Sequence, residues 1–194
     1  ISDKATVGDL AGLKLEPNGE DEAKRYLEAE PGDTLNLDMK EISAFQALKA
    51  KGGSQADVEA LVRELLLARY QAYRDKGLTG IPPYARGGKK MFQLSQDLLL
   101  ATNEAKLVAK YFPSFHQTLL KYPAIQAKPL EVRFNWANVD VFSRPTLILS
   151  HRMLFNEGEA YVVVDRHFYA SHEYNGLQSI GGAFPTKEGS LLVS

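Results

Sequence analysis

The sequence predicts an α+β protein, with helices in the first two thirds packed on one face of an antiparallel sheet built from the last third. The period of the apolar residues changes from 3.6 to 2 near Leu130. Helix caps and helix-stopping Gly or Pro fall within residues 38–122, whereas hairpin turn signals fall within 130–194. At 194 residues and 44% hydrophobic, the chain is long enough for one sizeable core and is expected to form a single domain over residues 1–194.

Residues 1–30 form a polar, acidic segment, with Glu16-Pro17-Asn18-Gly19 as a turn signal and a short charged helix expected over 20–30. Leu35, Leu37 and Met39 alternate with polar residues, which predicts a short strand. Asp38 and Glu41 have capping-box spacing, since each carboxylate can accept from a free backbone N–H of a first helical turn. Ile42, Phe45 and Leu48 follow on one face, and Gly52-Gly53 ends that helix. Ser54 and Asp57 open the longest helix, which runs to about Lys76 with Gly77 as its stop. Val58, Leu61, Val62, Leu65, Leu66, Tyr70 and Tyr73 form its apolar stripe. Residues 77–90 read as a loop, a third helix is expected from Ser95 to Phe112, and Ser114 and Gln117 are expected to cap a fourth that Pro123 ends.

In the last third, Leu130, Val132, Phe134 and Trp136 are apolar at even positions, and Ala137, Val139 and Val141 at odd ones. This change of parity predicts a β-bulge near Trp136. Residues 146–155 and 160–174 are expected to pair across Asn156-Glu157-Gly158-Glu159. Asn175-Gly176 reads as a tight turn or a bulge, and 186–189 as the turn before a last strand at 190–193. That strand stops where the chain stops, and the chain opens on Ile1, so a trimmed product with a missing C-terminal element is expected. Exported and cytoplasmic locations are both compatible with this.

Net charge is −1, which leaves no whole-chain electrostatic footprint for nucleic acid. There is no cysteine, which excludes disulfides, thiol catalysis and cysteine-ligated metals. No apolar run approaches the roughly 20 residues of a transmembrane helix. No cofactor motif is present.

The stretch AYVVVDRHFYASHE, residues 160–173, places titratable groups in a strand-like run. Alternation puts His167, Tyr169 and Asp165 on one face and Arg166, His172 and Tyr174 on the other. The two histidines then cannot share one metal, so no metal site is expected. His151 on the neighbouring strand could approach either one. Candidate ligand-binding residues are therefore His151, Asp165, Arg166, His167, Tyr169, His172 and Tyr174. Ser150 and Ser171 lie nearby but lack a nucleophile-elbow sequence, so no catalytic residue is assigned. Arg86, Lys89 and Lys90 flank Gly87-Gly88 and form a candidate anion- or partner-binding loop, without P-loop spacing. Aromatics from Phe134 to Phe184 could line an apolar cavity or fill a core.

The segments RELLLARYQAYRDKGLTGIPPYARGGKK (63–90), KLVAKYFPSFHQTLLKYP (106–123) and RHFYASHEYNG (166–176) resemble a family of uncharacterised bacterial proteins. The resemblance covers most of the chain from about residue 30 and implies no activity and no catalytic residues. Members look exported and continue past the final strand with a polar turn and a helical segment. The order of elements is also similar to helix-grip folds, which implies a curved sheet but no function. Three functions are expected in turn: non-enzymatic binding of an apolar or amphipathic small ligand, protein interaction through the sheet edge or basic loop, and His-dependent hydrolysis. An enclosed cavity would favour the first. A solid core with an exposed apolar patch or free edge would favour the second. A cleft joining His, Ser and Asp would favour the third.

Overall fold

The computed structural model describes the chain except for residue 3 and residues 125–127. Helices α1 (Gly19–Leu27), α2 (Met39–Ala50) and α3 (Gln55–Lys76) come first, followed by a small hairpin of β1 (Tyr84–Arg86) and β2 (Lys90–Phe92). Helices α4 (Leu94–Glu104), α5 (Lys106–Tyr111) and α6 (Pro113–Lys121) precede five strands. These are β3 (Glu131–Val141), β4 (Arg144–Glu157), β5 (Ala160–Ala170), β6 (Leu177–Thr186) and β7 (Gly189–Val193). They form an open antiparallel meander in chain order. The molecule is α+β, with the helices N-terminal to the sheet.

The helix caps follow the sequence. The Asp38 carboxylate accepts from the N–H groups of Lys40 and Glu41 at 2.7 and 2.8 Å, and Glu41 Oε2 accepts from Asp38 N at 2.7 Å. Ser54 and Asp57 close the same box on α3. Asp38→Ala is expected to cost about 1 kcal/mol, read as a lowered urea midpoint with an unchanged m-value. The α3 stripe is buried at Val58, Val62, Leu65, Leu66, Tyr70 and Tyr73. It shares one core with sheet residues such as Leu147, Leu149, Met153 and Val164, and meets the sheet through Tyr70 on Phe134 and Tyr73 on Phe134 and Phe168.

Several expectations are corrected. Residues 35–39 form no strand; Asn36 N–H instead donates to Ser171 O, and Leu37 O accepts from Ala85. The 77–90 loop contains β1, whose three residues pair with Lys90–Phe92. The helix expected over 95–112 breaks at Ala105 (ψ 59°) into α4 and α5, and α5 buries none of its residues. Ser114 does not cap α6; Glu157 does, accepting from the N–H groups of Ser114 and Phe115 at 3.0 and 3.1 Å.

The bulge is also elsewhere. β3 pairs with β4 in unbroken register from Glu131 to Val141, so the apolar residues at 137, 139 and 141 simply lie on the outward face. The register breaks between β4 and β5, where Leu149 faces Tyr169 and Ser150 faces His167. Phe168 is thus the extra residue, and the chain beyond it changes face. The β3–β4 turn places Phe142 and Ser143 at φ 52° and 62°, a conformation usually left to Asn or Gly. The turns at Gly158-Glu159 and Lys187-Glu188 lie where expected.

Candidate functional site

Three buried polar clusters cross the boundary between helices and sheet, and an apolar surface lies at the end of the sheet formed by β6 and β7. The first cluster is built on one row of neighbouring strand residues, Phe134, His151, Arg166 and Gln178. Arg166 and His151 are fully buried. Arg166 Nε donates to Gln178 Oε1 at 2.8 Å, Nη1 to the Tyr73 hydroxyl at 3.3 Å and Nη2 to Leu119 O at 3.3 Å. The Tyr73 hydroxyl also meets His151 Nδ1 at 3.1 Å, and the His151 ring stacks on Phe134 at 4.3 Å. Burial, reinforced by the charge of Arg166, pushes the His151 imidazole down to about 3. The ring is therefore neutral at physiological pH.

The second cluster centres on Arg69 of α3. It forms a two-pronged pair with Glu41, Nε to Oε1 at 2.8 Å and Nη2 to Oε2 at 2.6 Å. Its guanidinium lies 4.4 Å from the centre of the buried Tyr169 ring. Arg86 ties the neighbouring loops together, donating to Gly32 O, Asn36 Oδ1 and Asn175 Oδ1 at 2.9, 2.6 and 2.8 Å. The third cluster joins α1 to the start of β4. Arg144 grips the buried Glu22 at 2.9 and 3.2 Å. His172 lies 3.8 Å from the same carboxylate and 3.1 Å from Glu173. Burial, together with Arg144, holds the His172 pKa down against the pull of Glu22.

The predicted ligand-binding residues do not converge. His151 and Arg166 lie under α3. Tyr169, expected beside His167, is turned into the core by the bulge at Phe168. His172 sits in the connection after β5, not on the strand. Asp165, His167 and Tyr174 do meet, on the outward face: His167 Nδ1 lies 2.7 Å from the Tyr174 hydroxyl, and Nε2 lies 3.9 Å from Asp165. Arg86 and Tyr174 line a shallow polar cleft of about 360 Å³ with Asn36, Arg144, Glu173 and Asn175. Lys89 is exposed on the turn, and Lys90, directly across the hairpin from the saturated Arg86, is exposed at the start of β2. Reading the sequence passed over Arg69, although its place in the apolar stripe, four residues from both Leu65 and Tyr73, was a visible signal.

Among the described residues, no histidine is hydrogen-bonded to a serine, although Ser150 and His167 are cross-strand neighbours. Ser171 Oγ is fully buried and accepts from Leu147 N at 2.9 Å. No three of His, Asp and Glu among the described residues converge on a metal-sized site. No described helix is long and apolar enough to cross a membrane.

The apolar surface is at the other end of the sheet. Leu107, Tyr111 and Phe112 form one wall of an open groove of about 720 Å³, whose floor is Ile180, Gly182, Phe184, Leu191 and Val193. A smaller apolar hollow of about 240 Å³ lies on the opposite face, between Leu154, Tyr161, Val163, Ala183 and Leu192. β7 separates the two. Its Leu191, Leu192 and Val193 are 55%, 75% and 48% exposed, and its outer edge pairs with no described strand.

No protein-family model matches the chain, and comparison with curated proteins and with solved structures finds no match. The chain is thus defined by its architecture alone: N-terminal helices on an open five-stranded antiparallel sheet.

Proposed function

We propose that this chain is a non-enzymatic interaction module that takes an apolar polypeptide segment at the β6–β7 end of its sheet. The observation that carries this reading is β7, a strand apolar on both faces, exposed on both, with an open edge. Strands with that pattern are normally covered on both sides. An open edge normally carries charge, proline or a bulge that discourages pairing. The opposite edge has such guards. β3 carries Glu131, Arg133 and Asp140, and the N-terminal segment lies along it, with Asn138 Nδ2 donating to Lys14 O and Glu16 O at 2.8 and 3.2 Å. Residues 189–193 carry no charge at all.

Addition of a partner strand would satisfy the free backbone groups, and side chains on alternate faces would fill the groove and the hollow. The test is amide hydrogen exchange at Leu191, Leu192 and Val193 with and without a synthetic valine–threonine repeat peptide ended by lysines. Slowed exchange confined to β7 and the adjoining part of β6 is expected. Unchanged exchange at saturating peptide would refute the reading.

A second reading is favoured by the groove itself. Its volume lies within the roughly 300–1,000 Å³ of small-ligand sites, and its lining is almost wholly apolar. An apolar or amphipathic small molecule could lie over Gly182, where an added Cβ would meet the Phe184 ring at 3.0 Å. Gly182→Leu should then abolish binding of palmitate in a fluorescence titration while Leu192→Lys, on the other face, leaves it intact. Equal affinity of the Gly182→Leu variant and the parent would exclude the groove. Among the described residues no serine is hydrogen-bonded to a histidine, so the hydrolase alternative has no Ser–His pair to support it.

A further inference from the structure

We propose that the segment taken at this edge is β7 of a second copy of the same chain, paired antiparallel about a two-fold axis through Leu192. The inference rests on the docking reading above and names its partner. It is carried by the sequence of β7 and the facing of its residues. Leu191 and Val193 pair with Phe184 and Gly182 and share the helix-side face with them; Ser190 and Leu192 pair with Pro185 and Ala183 on the outward face. Direct partners in a sheet share a face, so a two-fold axis perpendicular to the sheet must sit on a residue, not between two.

Placing the axis on Leu192 sets Leu192 opposite its own copy on the outward face. Leu191 then meets Val193 of the other copy on the helix side, and Ser190 meets Ser194 on the outward side. Every apolar residue faces an apolar one and every hydroxyl a hydroxyl, because Ser-Leu-Leu-Val-Ser reads the same way in polarity from either end. An interface of this kind is isologous and closes on itself. No charged side chain lies within residues 189–194 to reject an identical edge, and a net charge of −1 leaves little long-range repulsion between copies. The guarded β3 edge offers no such match, since its Glu131, Arg133 and Asp140 interrupt it. The two sheets would become one continuous sheet, with the helix-side groove and the outward hollow of each copy meeting at the axis.

The experiment uses sedimentation velocity on the chain across a range of micromolar concentrations. A concentration-dependent dimer is expected. Leu192→Lys places two ammonium groups face to face at the axis and should weaken dimerisation by at least about tenfold; Leu192→Glu should do the same. An equimolar mixture of the two variants should restore the dimer, an outcome peculiar to a residue that meets its own copy. Leu192 is 75% exposed in the single chain, so at concentrations where the parent is monomeric both variants should keep its unfolding midpoint. Val139→Lys, on the opposite edge, should leave the dimer unchanged. A dimer that persists in Leu192→Lys, or a mixture that fails to re-form one, would overturn the inference. A chain that stays monomeric while the repeat peptide still protects β7 would overturn the second-copy inference alone. A chain that stays monomeric and gains no protection would overturn the docking reading as well.

Discussion

Glu41→Ala is expected to destabilise the native state by about 3–5 kcal/mol. The Glu41 carboxylate is the counter-charge of Arg69, whose side chain is 2% exposed and hydrogen-bonded to it through two nitrogens. Removing the carboxylate strands a guanidinium among Tyr84, Tyr169 and the backbone of Asn36. It also removes half of the α2 capping box, because Glu41 Oε2 accepts from Asp38 N. The charge, not the contact area, should dominate. Arg69→Met combined with Glu41→Leu should therefore recover much of the loss, since exchanging both ions for apolar groups of similar size is often near neutral. Urea unfolding of the two variants decides this. A loss below about 1 kcal/mol for the single change would show that the pair contributes little net stability.

Acid should destabilise the protein well above the range in which carboxylates titrate. His151 is neutral in the fold, held down to about 3 by burial and by the charge of Arg166. In the unfolded chain it takes up a proton near pH 6.5. The unfolded state thus binds the extra proton, and stability falls as pH drops from about 6.5 towards 3, by about 1.4 kcal/mol per unit. Carried through the whole window, this amounts to about 5 kcal/mol. His167 and His172 are also held down, chiefly by burial, and act in the same direction over narrower windows. The charged or titratable groups that meet His151 are Tyr73, Tyr122 and Arg166, and none of them is a carboxylate that would reverse the sign. His151→Leu should flatten the fall in urea midpoint between pH 7 and pH 5. The same slope in the variant and the parent would assign the acid lability to other groups.

The parts of the fold that were legible in the sequence are those set by near neighbours. Asp38 and Ser54 reach N–H groups two or three residues on, so spacing alone revealed both caps. Gly158-Glu159 and Lys187-Glu188 lie between runs whose alternation was already visible. The features that were missed depend on contacts across the chain. The α6 cap comes from Glu157. The three-residue strand β1 is too short to show a period, and Ala85 is fixed by Gly32 and Leu37 rather than by its own neighbours. The bulge at Phe168 lies in a run, His167 to Ala170, where either facing looks plausible in the sequence. That one extra residue also put Tyr169 and His167 on opposite faces, where strict alternation had placed them together. The apolar residues of β7 could be read as a strand, but their exposure on both faces depends on where α5 and the sheet end.

The reach of Glu157 back to α6 bears on how the chain is made. Ser114 and Glu157 are 43 residues apart, so the first turn of α6 leaves the ribosome well before the group that completes it. At roughly 5–20 residues per second the interval is about 2–9 s, far longer than a helix needs to form or melt. During that time α6 has only a proline at its first position and no acceptor for its leading N–H groups. The helical layer is therefore expected to be synthesised first but finished last, waiting on the β4–β5 hairpin to arrive. A released fragment ending at Asn156 should be digested within α6 by a protease that spares the same helix in the whole chain.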